Sequence, residues 1–464
     1  MQNKILWTPY PYKAGFTITD DTDAATLEQV KIVYDFLLSK NVRVTKTVWS
    51  FKPSDNCGIP AIPDSALRGI TLENPEYRTY CLKLADAGFE ISLHGASAGN
   101  NLREQTLAAI NMLKAVGIKS STFICHSKNA DNIYWEEKAT NIFPFNLLLK
   151  LYSKNRCSGE DKQSPYFWGD ICRQHISQIR LMRTRNVNTL KINPSMPYYE
   201  PEKPYVNGWF SATKRSLKDC ANQQNLAILK QENGLTVLYQ YLHRYVDPQT
   251  LQLQPGFIQS IENLTSDKEI YLAPVNTMME RLRDIQGIFL IYAPNEFSLI
   301  NTNSHDVSGF QIQTQQASII SSLNPEIMAA EERIVFPLLR AESISKFKSK
   351  SGISFFGRNI IKTSGSGKVI LKVGIARLFI NLSEKVWKPT ESITLPPNSF
   401  KLLAQYSGTG FPLLSVISYY ENFRLIMHQI HIIISELLFK KRSLNTEKYL
   451  NTASEIYLEN QDNW

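Results

Sequence analysis

The chain reads as an α/β protein: a parallel unit of (β/α) barrel type over residues 1–284, an all-β, sandwich-like module over 285–406, and a helical tail over 411–464. Three observations predict this. Strand-like and helix-like stretches alternate with short connections through the first 130 residues, the pattern of a parallel sheet with crossover helices. From Ile285 the character changes to short alternating strands between Gly, Asn, Ser and Pro turns. Beyond Phe411 an apolar, helix-spaced run returns.

Taken in order, "AGFTIT" (14–19) is a short apolar strand, and Leu27, Val30, Val33, Tyr34 and Leu37 recur at helical spacing after it. "VRVTKTVW" (42–49) is β-branched and extended. Pro75 opens a helix that Gly88 closes, and "FEISLH" (89–94) follows as a strand. A helix beyond Asn101 and the strand "STFICH" (121–126) complete the fourth repeat. "NIFPFNLLLKLY" and "YFWGDICRQHISQIRLM" read as helical, "LTVLYQYLH" (235–243) and "EIYLAP" (269–274) as strands, and Val275–Asp284 as a helix. In the β module the clearest strands are "GIFLIYA", "GFQIQT", "KVILKV" and "ARLFINL", with no internal repeat apparent. The late stretch "RLIMHQIHIIISELLFKKR" is expected to pack on the protein or on a partner rather than on a membrane surface.

Bulk composition narrows the function. The 464 residues carry a formal net charge of +9, but the basic residues are spread along the chain with no tract fit for nucleic acid. Six cysteines without a C-x-x-C pair suit reduced thiols in a core. The N-terminus lacks a signal-peptide pattern, so a cytoplasmic location is expected, and no apolar run reaches the length of a spanning helix.

Chemistry concentrates at the ends of strands. "FTITDDTD" (16–23) sets three aspartates just past a strand, where ligands bind in parallel α/β folds. Asp23, two residues after the pair Asp20–Asp21, reads as a cap for the helix that follows. His94 and His126 each end a strand. Imidazole with carboxylate suits zinc or another first-row divalent ion. Tyr239, Tyr241 and His243 share one face of a later strand. "NPSMPYYEPEKPYVNGWF" (193–210) offers Tyr198, Tyr199 and Trp209 as rings on which a sugar could stack, or is a loop packed on its own aromatics. A phosphoryl-transfer reading of "DTDAA" (21–25) fails at Ala25, where Thr or Val is wanted.

"TITDDTD", then "GFEISLHGASAGN", then "LYQYLHRY" resemble, in order and spacing over residues 5–285, the polysaccharide deacetylase family, the NodB-like carbohydrate esterases. The resemblance is to a divergent branch that carries a C-terminal β module. It implies a distorted (β/α) barrel, a divalent metal, zinc first, and removal of acetyl groups from an acetylated carbohydrate. Carried over by position, Asp20 is the general base, and Asp21 and His94 are metal ligands. The chain departs from the family at three places. Ala98 stands where the second motif histidine is expected, Tyr241 stands where the general acid is expected, and "FICHSKN" replaces an arginine–proline motif. His126 is then the candidate third ligand, His243 the candidate acid, and Tyr239, Tyr241 and Trp209 the candidate substrate contacts. The alternative is a degenerate relative that binds glycan or a partner without turnover.

Overall fold

The computed structural model describes residues 3–53, 69–126, 129–152, 157–314, 320–321, 327–330, 332–349, 354–363 and 367–446. The chain divides into two compact units: residues 1–14 with 279–416, and residues 15–278 with 417–464. The division differs from the sequence expectation in where the ends go. Strand β1 (Lys4–Leu6) pairs antiparallel with a strand of the β module more than 300 residues away. The tail helix counts with the barrel, and residues 447–464 of the expected tail lie outside the described residues. Neither partnership leaves a local signal, because both are set by pairing at long range.

The larger unit is a closed barrel. Strands β2 (Ala14–Asp20), β3 (Thr45–Trp49), β4 (Glu90–Gly95), β5 (Thr122–Ile124), β6 (Gln178–Thr184), β7 (Trp209–Thr213) and β8 (Leu235–Gln240) run parallel in that order. Strand β2 pairs with both β8 and β3, which closes the ring. Strand β9 (Ile270–Leu272) adds to the same sheet beside β2. Helices α1 (Leu27–Ser39), α2 (Pro75–Asp86) and α3 (Arg103–Ala115) cover the first crossovers. In α1 the buried residues are Val30, Val33, Tyr34 and Leu37, the stripe that the spacing calls for. Helix α4 (Phe145–Tyr152) forms where expected, but the segment after it is not one helix. It holds a short α5 (Gly169–His175) and then β6. Ile171, Ile176 and Ile179 mimic a helical face, whereas only a strand lets Arg180 reach the barrel interior. The remaining helices are α6 (Thr189–Ile192), α7 (Leu217–Cys220), α8 (Gln223–Gln231), α9 (Pro255–Ser266) and α10 (Val275–Gln286).

The smaller unit is a stack of mainly antiparallel sheets, larger than a single sandwich. Strands β10 (Ile288–Ala293), β11 (Glu296–Asn301), β12 (Val307–Gln313), β13 (Ile320–Ser321), β14 (Met328–Ala330), β15 (Arg333–Leu339), β16 (Ser343–Ser349) and β17 (Ile360–Lys362) form two sheets, in which β10 and β17 pair parallel. Leu290, Phe297 and Leu299 from one sheet pack on Phe310, Ile334 and Phe336 from the other. Phe289, Ile291 and Ile300, on the opposite face, meet a third sheet built from β18 (Lys368–Val373), β19 (Ala376–Asn381) and β22 (Ser399–Leu403). A ribbon of β20 (Trp387–Thr390) and β21 (Ile393–Leu395) covers the far side of that sheet.

The module contains a duplication that the sequence hides. At the end of β11 the buried Asn301 donates to the carbonyls of His305, Leu339 and Arg340. At the end of β19 the buried Asn381 donates to those of Lys385, Leu395 and Pro396 in the same arrangement. Ser343 Oγ donates to Arg340 as Ser399 Oγ does to Pro396, and Glu342 and Asn398 both adopt φ near +50° (46° and 51°). The shared device is an amide that satisfies three corner carbonyls that no strand can reach. Little of the surrounding sequence needs to match for it to work. The expectation of no internal repeat is corrected by it.

The chain closes with α11 (Tyr419–Thr446), which buries Leu425, Ile426 and Ile432 in its own unit and contacts β6.

Candidate active site

The carboxyl ends of the barrel strands hold two polar clusters, and the aspartate run divides between them. Alternation along β2 sends Asp20 and Asp21 to different sides. Thr47 Oγ1 donates to the Asp20 carbonyl and accepts from the Thr22 amide, which pins the chain as it leaves the strand. Ala24 then turns with φ 59°, a left-handed conformation that costs an alanine on the order of 1 kcal/mol. Asp23 is therefore no cap. Thr26 caps α1, with Gln29 completing the capping box, and this frees the Asp23 side chain to face the barrel mouth.

In the first cluster Asp23 meets two histidines. Its Oδ1 lies 3.3 Å from His94 Nε2, and its Oδ2 lies 3.7 Å from His126 Nε2. Each ring is held by its other nitrogen: His94 Nδ1 to the Ile124 carbonyl at 2.6 Å, His126 Nδ1 to Asn129 Oδ1 at 2.8 Å. Both Nδ1 atoms thus act as donors, which turns both Nε2 atoms toward the carboxylate. The buried Trp49 packs against both rings, with centroids 4.6 and 5.3 Å away. Gly95, between β4 and the next turn, has φ 136°. A Cβ there would come within 3.2 Å of the Trp49 ring, so the platform requires glycine. His94 Nε2 and Asp23 Oδ1 are buried with no hydrogen-bond partner.

Asp21 lies beside this group, with Oδ2 3.7 Å from His94 Nε2. Arg180 grips it with two bonds of 3.0 and 2.9 Å and lies over the Tyr239 ring at 4.3 Å. Tyr239 and Tyr241 share a hydroxyl–hydroxyl bond of 2.6 Å. Asp21, Asp23, His94, His126, Arg180, Tyr239 and Tyr241 line one cavity, with Cys125, Trp135 and Arg183 completing its wall. Its empty volume is about 320 Å³, open solvent included.

The electrostatics follow from this packing. Burial works against the Asp23 carboxylate, but His94 and His126 outweigh it and hold Asp23 well below the usual carboxylate range. Burial likewise opposes charge on His94, and Asp21 with Asp23 overcomes it, so His94 is raised. His126 is lowered, chiefly by burial. Burial pushes Tyr239 up to about 12 and Tyr241 higher still, with Asp21 adding to both and Tyr239 adding to the rise of Tyr241, so both hydroxyls stay protonated near neutrality. The Cys125 thiol, pushed up to about 12 by burial, is neutral and inert.

The second cluster is closed off. Asp20 accepts from Tyr34 Oη at 2.8 Å and from the Leu242 amide at 2.8 Å, and pairs with the buried Lys46 ammonium at 3.1 Å. A carboxylate held this way does not line the cavity, which departs from the role of base expected for Asp20. His243 is buried in the turn after β8, also outside the cavity wall, and burial depresses it to about 4, so it is neutral at pH 7. That departs from the expected acid. Trp209 is fully buried in β7 against Tyr134 and Lys203, and Tyr198 and Tyr199 are buried too. The 193–210 loop is therefore packed by its own aromatics, and Trp209 presents no face to a sugar. Ala98 is buried, and His126 has come up to Asp23 from the neighbouring strand end.

Three contributors escaped the sequence reading. Asp23 was masked by its fit to a cap, Arg180 sat in a segment that mimics a helix, and Arg183 directly follows that segment. The one available signal was "QIRLMRT", in which two arginines interrupt a β-compatible run.

No protein-family model matches the chain, and no curated protein matches it. Solved structures similar to it include Puue allantoinase, at 11% identity and TM-score 0.33, covering 59% of this chain and 92% of that one. A putative polysaccharide deacetylase from Mycobacterium smegmatis is similar at 10% identity and TM-score 0.35, covering 60% and 93%. The carbohydrate deacetylase Agd3 is similar at 11% identity and TM-score 0.37, covering 74% and 66%. TM-scores at this level transfer no chemistry, so what the mouth of the barrel can do is decided by its own residues.

Proposed function

We propose that the barrel is a metal-dependent hydrolase that removes an acyl group, acetyl first, from an amide or ester on a carbohydrate. The observation that carries this is the pair of histidine Nε2 atoms facing one carboxylate, with both Nδ1 atoms already committed. Among the described residues no group of three or more His, Cys, Asp or Glu side chains is already placed to hold a metal ion. The donor chemistry nonetheless fits a divalent ion. Two ligands at about 2.1 Å from a tetrahedral zinc stand roughly 3.4 Å apart, close to the 3.3 and 3.7 Å found here. Asp23, its side chain 25% exposed, is the member free to adjust. An ion there would also satisfy the two orphaned atoms.

His94, His126 and Asp23 would hold the ion, which supplies Lewis-acid polarisation and an acidified water when bound. Asp21 is the candidate base, in place of Asp20, because it is the other carboxylate in the cavity wall. Arg180 fixes its orientation with two hydrogen bonds. Tyr241 and Tyr239, neutral at working pH, are the candidate donors to the oxygen that gains charge or to the leaving group. The carbohydrate class rests on the sequence resemblance.

The alternative, glycan binding without turnover, draws on the lack of a histidine acid in the cavity. One experiment separates the two: zinc titration of the metal-stripped protein by calorimetry, with acetate release from acetylated chito-oligosaccharides. Stoichiometric uptake and turnover, both lost in His94→Ala and His126→Ala, are expected. Failure to take up any divalent ion sinks the proposal, and uptake with glycan binding but no acetate release favours the alternative.

A further inference from the structure

Helix α4 is short and carries its largest apolar side chains outward. Phe143, just ahead of it, is 77% exposed and Leu151 is 76% exposed, with Leu147 and Leu148 about half exposed beside them. Among the helix residues whose burial is described, Leu149 is the buried one. Helix α11 adds a second outward stripe, Tyr420, Phe423 and Met427, on the side away from its packed residues Leu425 and Ile426. The stripes are joined: the rings of Phe145 and Phe423 are 5.6 Å apart. Single exposed apolar residues need no explanation, but a continuous face of this kind marks a docking surface.

The face adjoins the cavity. Helix α4 packs on the turn Glu136–Ala139 that follows the lining residue Trp135, and α11 holds the amide of the lining residue Arg183 through Gln429 Oε1 at 3.0 Å.

Charge selects the occupant. From Phe143 to Tyr152, the described part of this segment, Lys150 is the one charged residue and no acidic residue occurs. Lys150 is exposed within the apolar patch. Protein interfaces are depleted in lysine, whereas a helix that lies on lipid combines Phe and Leu on one side with lysines that reach the headgroups. No helix among the described residues is long and apolar enough to cross a membrane, so the geometry is that of lying on a surface.

We propose that the α4–α11 face docks on an anionic lipid surface, with the barrel mouth alongside it. The test is co-sedimentation of the full chain with vesicles of phosphatidylcholine alone and of equal parts phosphatidylcholine and phosphatidylglycerol. Binding to the anionic vesicles is expected to be stronger by about tenfold or more and to weaken with salt. Phe143→Ser with Leu151→Ser should abolish it, and Lys150→Glu should remove the anionic preference, both with unchanged thermal unfolding. Equal binding to both vesicles, or no effect of these exposed substitutions, overturns the proposal. So does self-association without vesicle binding that the Phe143→Ser, Leu151→Ser pair abolishes, which would assign the face to a second copy. Binding that emerges only when residues 447–464 are removed would assign it to the chain's own tail.

Discussion

Asp20 and Asp21 are adjacent in sequence, yet they belong to opposite kinds of site. Asp20 is saturated by a lysine ammonium, a tyrosine hydroxyl and a backbone amide, all buried. Across the strand, Asp21 and Asp23 face a cavity where His94 Nε2 and Asp23 Oδ1 have no hydrogen-bond partner. The difference shows where each cluster's free energy goes. The closed one stabilises the barrel, and removing one of its partners would strand a charge. The open one strains the chain at the left-handed Ala24 and turns its atoms that lack a hydrogen bond toward a cavity, whereas those of the closed one, Lys46 Nζ and His243 Nδ1, lie outside the cavity wall.

The sharpest way to break this contrast is to cross the substitutions. Asp23→Ala should abolish zinc uptake and acetate release, at a stability cost smaller than that of breaking the closed pair, because its side chain is 25% exposed although His94 and His126 hold its carboxylate below the usual range. Lys46→Met should do the reverse. Loss of one partner from a buried pair costs about 3–5 kcal/mol, read from urea unfolding, while the zinc affinity of the protein that remains folded should not change. If Lys46→Met lost zinc at full stability, the two clusters would not be separate.

What could be read from the sequence follows the range of the interactions. Strands β2, β3, β4 and β5 and helices α1 to α3 announce themselves by local periodicity and by Gly, Asn and Pro punctuation. His94 and His126 stand out because each ends a strand. Asp23 did not, since an aspartate ahead of a helix satisfies the rule for a cap, and only the left-handed turn at Ala24 reveals the other outcome. Arg180 was hidden because a charged residue within an apolar run has no visible partner until Asp21 arrives from 159 positions away. The same holds for β1, whose strand partner lies across the length of the chain, and for Asn301 and Asn381, whose shared role is to bind carbonyls.

A smaller effect sharpens the contrast through pH. His243, beside Asp20 and Lys46, is depressed from 6.5 to about 4 by burial. A group depressed on folding stabilises above its unfolded value, and that contribution is lost as pH falls from about 6.5 toward 4. The difference amounts to roughly 3 kcal/mol. Asp131 runs the other way. Burial raises it to about 6, so its contribution is present below about 4 and lost as pH rises through 6. Because the two oppose each other, the wild-type profile alone cannot isolate either. His243→Gln should flatten the acid side, reducing the stability lost between pH 7 and pH 4 by roughly 3 kcal/mol in urea titrations. An unchanged slope would mean that His243 is not the group that titrates.

The smallest effect tests the open cluster's donors. Tyr239 and Tyr241 share a 2.6 Å bond in which only one hydroxyl can donate to the other. The second proton is therefore available to the cavity. Arg180 lies over the first ring and Arg244 over the second, at 4.3 and 4.2 Å. Burial nonetheless keeps both phenols protonated well past neutrality. If Tyr241 donates to the oxygen that gains charge, Tyr241→Phe removes one neutral hydrogen bond, worth about 1.4 kcal/mol or about a tenfold fall in kcat. Zinc affinity should not move, because the ligand set is untouched. The wild-type rate should also show no fall from tyrosine ionisation below pH about 10. A Tyr241→Phe variant with wild-type kcat would leave the phenol pair a packing feature. One that lost zinc would place the hydroxyl with Asp23 rather than with substrate.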